Sequence, residues 1–495
     1  VTVSVLYWLA LGAPLSTPPG RGTKNGREGN MSRAAVIGVA SGILTFIVLF
    51  LNISTSTSSD DGSPSNCPVC RPATTHHSPT AKKAKVEVGG KDSLVVAYEE
   101  GRVGREAMCK DAGHKVPSKP LISGKGKKVF VTGAAGFIAS HVARACAELG
   151  MDVVAADDMS GGFMENVPKM PNVKFVLLDV KDPEAIEKLF AEHGPFDYVY
   201  HLAAYAAEGM SHFIRSYNYR NNLVGTVELV NAAIRHKTKV FVFTSSIAAY
   251  GAPEPPIRET TPMHPEDPYG ISKYAVELDL KAAKELFGMD YVIFRPHNVY
   301  GPHQNIADKY RNVIGIFMNQ ILNGRPMTIF GDGTQTRAFS YIDDVAPLIA
   351  KGPLIPEARN EEFNVGAERP WSLNDLARLV SSAMGAPNHK LVHLDKRFEV
   401  QNAEATHSKI KCFFDPGRVV PLDKGLKKTA EWVLARTKGF KPVEFHAVEV
   451  KAKMPPSWVR PDLIESAHIE HTAANNTNFD QSQSAADVVA AFDRS

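Results

Sequence analysis

The chain has 495 residues, 44% of them apolar and 22% charged, a balance that suits a folded globular protein and excludes a fibrous or wholly disordered one. Lysine and arginine number 56 against 53 acids, so the net charge of +3 offers no basic excess of the kind a nucleic-acid binder carries. Five cysteines spread over this length exclude a disulfide-built scaffold.

In chain order, the first element is an apolar run. The chain opens at Val1 and its first methionine is Met31, so residues 1–33 read as upstream translation or a leader, forming a cytosolic segment. Ala34 to Leu51 is eighteen residues without a charge, long enough as a helix to cross a hydrocarbon core of roughly 30 Å. We therefore expect a single transmembrane anchor over 34–53. Arg21, Lys24, Arg27 and Arg33 precede it, and Asp60 and Asp61 follow. The positive-inside bias then predicts a type II protein with its catalytic domain in the lumen of the Golgi or another endomembrane; organelle import is the alternative. Residues 54–124 read as a Ser/Thr/Pro stalk and a basic linker of little fixed structure. Cys67 and Cys70, with His76 and His77 beyond, lack the second pair that a zinc site needs and read as stalk thiols or a stalk disulfide. No metal site is expected.

At Lys127 the texture changes. KKVFVTGAAGFIASHVARACAELG predicts an apolar strand, a glycine turn and an amphipathic helix. Gly133 lets the backbone turn sharply, and Gly136 lets it approach a pyrophosphate at the helix N-terminus. Phe137 and Ile138 follow in the turn. The next strand, MDVVAADD, places Asp157 24 residues beyond Gly133, where an acid meets ribose hydroxyls and favours NAD over NADP. VKFVLLDV carries Asp179 and Val180 to the adenine edge, and FDYVYHLAA ends at the small residue Ala203. Strands and helices alternating at this length predict a parallel, doubly wound sheet.

KVFVFTSS then brings Ser246 to the carboxyl end of a central strand. Tyr269 and Lys273, in DPYGISK, are four residues apart and share a helix face. An ammonium beside a phenol, together with the positive nicotinamide ring, favours the phenolate, and the expectation is that Tyr269 is pulled down from about 10 toward working pH. Ser246 can bond the same substrate hydroxyl.

Taken together, these residues resemble the extended short-chain dehydrogenase/reductase family, in particular its NAD-dependent nucleotide-sugar epimerases and dehydratases. The resemblance covers about Lys127 to Val433. It implies an α/β, Rossmann-type domain over 125–437, binding NAD mainly through 125–295. A smaller C-terminal substrate lobe would span 296–437, followed by a polar tail over 438–495. It implies Ser246, Tyr269 and Lys273 as catalytic residues. Gly133, Gly136, Phe137, Ile138, Asp157, Asp179, Val180 and Ala203 would line the NAD site, with Asn222 near the nicotinamide. On the substrate side it implies Asn298, Asn312, Val313, Thr328 and Phe330 around the nucleotide, with Arg337 and Arg397 on the diphosphate. A homodimer paired through the helices NNLVGTVELVNAAIRH and that of Tyr269 is also implied.

Departures narrow the reaction. Dehydratases of the family carry an Asp-Glu pair after the strand-end hydroxyl, decarboxylases a glutamate and GDP-mannose 3,5-epimerases a cysteine at the second of those positions; here stand Ile247 and Ala248. What remains is 4-epimerisation of a UDP-sugar through a 4-keto intermediate, the alternatives being a decarboxylase or dehydratase with unusual acids, or a non-catalytic NAD binder. Tyr205 stands near where some 4-epimerases have a lysine. The position that gates the sugar pocket falls near Ala403, leaving room for UDP-glucose, UDP-glucuronate, UDP-xylose or UDP-N-acetylglucosamine.

Overall fold

The computed structural model describes residues 105–117, 123–396, 401–414 and 419–436, with shorter pieces at 417, 439–442, 448–455 and 458. The chain divides into a unit of residues 1–86, which lies outside the described residues, and a unit of residues 87–495. The apolar run 34–51, Cys67, Cys70 and the stalk therefore lie outside the described residues. Among the described residues no helix is long and apolar enough to cross a membrane.

The main sheet is built from β1 (Lys128–Thr132), β2 (Asp152–Asp157), β3 (Val173–Leu177), β4 (Tyr198–His201), β5 (Val240–Thr244) and β6 (Asp290–Pro296). Small strands of the second lobe follow: β7 (Val299–Tyr300), β8 (Met327–Phe330), β9 (Thr336–Ala338) and β10 (Ser340–Tyr341). The chain then returns to the main sheet with β11 (Glu361–Val365) before β12 (Pro370–Ser372), β13 (Leu391–Leu394) and β14 (Asn402–Ala403). The seven-stranded order is β11-β6-β5-β4-β1-β2-β3, and every pairing in it is parallel. Within 296–437, β11 returns to the main sheet as its edge strand.

Alternation along the strands explains why such continuous apolar runs are needed. Val129 and Val131 of β1 pack into the core on one face with α1 (Phe137–Glu148), while Phe130 packs on the other. That second face is covered by α2 (Pro183–His193), α3 (Gly225–Arg235) and α4 (Pro268–Phe287). A strand covered on both sides has no polar face, which is why periodicity alone does not mark it.

The linker expectation fails for residues 105–117. Residues 105–111 are helical, and Cys109 is joined to Cys412 by a disulfide across a separation of 303 residues. The Arg105 guanidinium donates to the carbonyls of Cys412 (2.6 Å) and Phe413 (2.9 Å). A basic stretch that looks solvated in sequence is held because these carbonyls at the end of the helix Ser408–Phe414 accept its charge.

Candidate active site

Strand order reverses between β1 and β4, and the crevice outside their carboxyl ends is where a doubly wound sheet binds ligands. The ends are tied together there. The Thr132 hydroxyl accepts from the backbone N–H of Leu202 (3.2 Å) and Ala203 (3.1 Å) and lies 2.8 Å from His201 Nδ1. Thr226 Oγ1 donates to the Asn222 carbonyl and sits 2.8 Å from His201 Nε2. One proton arrangement satisfies this chain: His201 is neutral and carries its proton on Nε2. Burial, with Lys273 nearby, pulls the imidazole down to about 3, consistent with that neutral form.

The crevice opens into a cavity of about 790 Å³. Gly133 has φ +74°, and a Cβ there would come within 2.9 Å of the Ala203 backbone; one on Gly136 would come within 2.9 Å of the Gly133 carbonyl. The turn thus leaves a cradle at the start of α1 that only glycine keeps open, the shape a pyrophosphate requires. Asp157 closes its edge, accepting from Ala135 N–H (3.0 Å) and Met159 N–H (2.8 Å). Each oxygen keeps a second lone pair for a ribose hydroxyl. Burial raises this carboxyl from its ordinary value, partly offset by those N–H donors. The residues present fit a dinucleotide.

Gly133, Gly136, Phe137, Ile138, Asp157, Val180 and Ala203 all line the cavity. Asp179 does not; its carboxylate turns aside to Lys181 Nζ at 2.7 Å, and Leu178 and Val180 face the cavity beside it. Asn222 lies behind the cavity wall. It is buried, accepts from Tyr205 N–H (2.8 Å) and donates to the Tyr205 carbonyl (3.0 Å), so it clamps the loop, while Asn221 lines the cavity. The cause is a π turn over Arg220–Val224, which widens the helix and rotates the face by about one residue.

Ser246, Tyr269 and Lys273 line one wall of the cavity together. Asp267 fixes the start of α4 as its N-cap, accepting from Gly270 N–H at 2.9 Å, and Pro268 occupies the first turn. Ser246 opens the turn Ile247–Tyr250 and its hydroxyl accepts from Ala248 N–H at 3.2 Å. Lys273 donates to the Thr244 carbonyl at 2.9 Å and lies 5.7 Å from the Tyr269 ring centre.

The charge states depart from the expected lowering of the phenol. Burial drives Tyr269 above its ordinary value, a hydrogen bond from Ser246 draws it partly back, and Asp267 and Glu208 push it up again. Burial also pulls the Lys273 ammonium down to about 7, against the opposing pull of Glu277. Residue spacing shows the ammonium near the phenol; it does not show that desolvation acts on both.

Beneath this wall lies a buried polar network absent from the sequence reading. Glu277 accepts from the Ser245 hydroxyl (2.5 Å) and from Arg295 Nη2 (2.6 Å); Arg295 Nη1 donates to the Tyr250 hydroxyl (2.6 Å), which donates to Asn364 (2.9 Å). It pins the strand end carrying Ser246 to the helix carrying Lys273. A carboxylate one turn beyond Lys273 was the available signal.

On the far side, Asn298, Asn312, Val313, Thr328, Phe330 and Arg337 all line the cavity. Asn312 caps the helix Val313–Leu322 and donates to the Val299 carbonyl (2.9 Å). Arg337 Nη1 donates to the carbonyls of Thr336 and Gln401. Arg397 lies outside the described residues. Ala403 pairs through its backbone with Arg337, and neighbouring Asn402 lines the cavity.

The sequence model of the NAD dependent epimerase/dehydratase family matches residues 129–366. The UDP-glucose 4-epimerase of Mycolicibacterium smegmatis is 32% identical over 310 residues, 62% of this chain and 98% of its own length. The dTDP-D-glucose 4,6-dehydratase of Mus musculus is 32% identical over 354 residues, 67% of this chain and 95% of its own. Among solved structures, the Thermotoga maritima UDP-glucose 4-epimerase with UDP-glucose is 34% identical at a TM-score of 0.57, covering 62% of this chain and 98% of that one. The Bacillus cereus UDP-glucuronic acid 4-epimerase with UDP-glucuronic acid and NAD is 28% identical at a TM-score of 0.56, with the same coverage of 62% and 98%. A glycine cradle at a parallel-sheet switch point, an acid at its edge and these relatives agree: the chain belongs to the NAD dependent epimerase/dehydratase family, and NAD is its cofactor.

Proposed function

We propose that the protein is an isomerase that inverts C4 of a UDP-sugar. The observation that carries this reading is the wall of the cavity itself: Ser246, Tyr269 and Lys273 stand together while the two residues after Ser246 are Ile247 and Ala248. Neither can take or give a proton, so the acid pair a dehydratase needs at that place is missing, although a dehydratase is among the relatives. A UDP-glucose 4-epimerase and a UDP-glucuronic acid 4-epimerase are among the relatives and neighbours as well.

Tyr269 Oη takes the proton of the sugar 4-hydroxyl, and the Ser246 hydroxyl bonds the same oxygen and holds it in place. Lys273 carries positive charge on the floor behind them, its Nζ fixed by the Thr244 carbonyl. NAD, when bound, supplies the acceptor and donor for the C4 hydrogen, and its positive ring favours the phenolate that burial alone opposes. Asn298 and Arg337 hold the diphosphate, while Asn312, Val313, Thr328 and Phe330 hold the base. The same cavity of about 790 Å³ takes in the NAD side and the substrate side together.

Placement in a secretory lumen remains part of the proposal. The uncharged run 34–51 supports it, and so does the Cys109–Cys412 disulfide, which suits an oxidising compartment. Pairing of two copies is supported by Val224, Ile271 and Leu278, apolar side chains left exposed in and beside the two expected helices.

The test is proton NMR of the purified chain with UDP-glucose, UDP-glucuronate and UDP-xylose, no NAD being added. A change in the H4 coupling for one sugar is the expected result. A 4-keto-6-deoxy product or carbon dioxide would move the assignment to the dehydratases or decarboxylases.

A further inference from the structure

Residues 448–455, with Trp458, stand well past residue 366, where the family model ends, in a tail whose polar composition predicts nothing. The structure nonetheless seats them on the cavity. Glu449 and Val450 donate their N–H groups to the Phe213 carbonyl at 2.9 and 3.2 Å. The Glu449 carboxylate is bidentate, accepting from Ser216 N–H (2.7 Å) and Tyr217 N–H (2.9 Å). Trp458 lies edge-on to Phe213 (6.1 Å) and Tyr310 (5.1 Å) and packs against Gly209. Val448 and Met454 pack on the buried cluster of Tyr205, Ala207, Met210 and Ile214. Lys453, Pro455 and Trp458 line the cavity.

What this segment braces is a cover over the dinucleotide groove. The Tyr205 and Tyr217 rings meet at 5.8 Å, and the Arg311 guanidinium lies 4.8 Å over Tyr205 while pairing with Asp308 at 2.9 Å. Arg311 also approaches Gly161, in the loop after β2, so the cover reaches from the substrate side to the NAD side. Tyr217 stands within the electrostatic reach of Asp158, Asp179 and Lys181 at the adenosine end and of Arg311 at the other.

We propose that residues 448–455 and Trp458 act as a retention strap: by holding Phe213, Ser216 and Tyr217 in place, Glu449 and Trp458 keep the Tyr205–Tyr217–Arg311 cover closed and slow the departure of NAD. Glu449 is here a positioning residue, since it touches only the backbone of the cover. The inference rests on NAD being the cofactor and not on which sugar is epimerised.

The test uses the full chain, purified with its NAD and with no sugar present. NAD remaining on the protein is measured by chromatography after timed dilution and ultrafiltration, alongside the thermal midpoint. For Glu449→Ala and for Trp458→Ala we expect NAD loss at least tenfold faster than in the unaltered chain. Glu449→Gln, which keeps one acceptor oxygen, falls between, and its graded value separates positioning from general damage. Should Glu449→Ala fail to fold, Trp458→Ala and Glu449→Gln decide the matter. Loss of NAD at the unaltered rate in the folded variants overturns the proposal. Because no sugar is present, that failure is distinct from a failure to find epimerase activity.

Discussion

The phenol proposed as the base, Tyr269, sits where burial favours its neutral form, and Lys273 beside it sits where burial favours the loss of its proton. Both shifts run against the charge states the proposed chemistry uses. Tyr269→Phe removes the proton acceptor without opening a void, and turnover should fall by roughly 10²- to 10⁴-fold with folding unchanged. Steady-state rates and the thermal midpoint, measured side by side, check this. Activity within threefold of the unaltered chain would remove Tyr269 from its role. At this scale the sequence was informative about placement: residue type and strand-end position put Ser246, Gly133 and Asp157 along the cavity, where the structure has them. It does not show that the carboxylate of Asp179 pairs with the nearby Lys181, because no spacing rule carries that contact.

Elements decide which of those residues face the ligand. The helix carrying Tyr269 and Lys273 starts where it does because Asp267 caps it and Pro268 fits its first turn. Asp267→Ala removes that cap and the bond from Ser211, which joins α4 to the loop of Glu208–Ser211. A loss of about 1 kcal/mol in unfolding free energy is expected. It should come with a lower kcat, since Tyr269 lies two residues on. Urea unfolding gives the first quantity; an unchanged midpoint would contradict the cap. The strand, glycine turn and helix of the NAD cradle were legible because each part carries its own signal. The π turn at Arg220–Val224 was not: a widened turn leaves no mark in residue spacing, and within it Asn221 lines the cavity while Asn222 is buried behind it.

At the scale of the whole molecule, distant segments close the structure, and they are the part hardest to read in a sequence. Cys109 finds Cys412 across 303 residues, and residues 448–455 with Trp458 return to the segment 205–217; neither leaves a local pattern. The same long-range packing buries histidines. His297 and His407 face each other through their Nε2 atoms at 3.0 Å, and burial pulls His297 down to about 4 and His407 well below its ordinary value. In the unfolded chain a histidine takes up its proton near 6.5, whereas folded His297 does so only near 4. Between those limits the unfolded state binds more protons, so stability falls as pH drops through the window. For His297 alone the loss at pH 5 is on the order of 2 kcal/mol. Denaturant midpoints at pH 7.5 and 5 test this, and equal midpoints would contradict it.

The central claim is that C4 loses its hydrogen and regains the same one on the opposite face. It is tested most directly with the UDP-sugar that the enzyme turns over, labelled with deuterium at C4, incubated in ordinary water without added NAD. The account predicts an epimerised product that keeps its deuterium at C4. Deuterium released to water, or found elsewhere on the sugar, would contradict it.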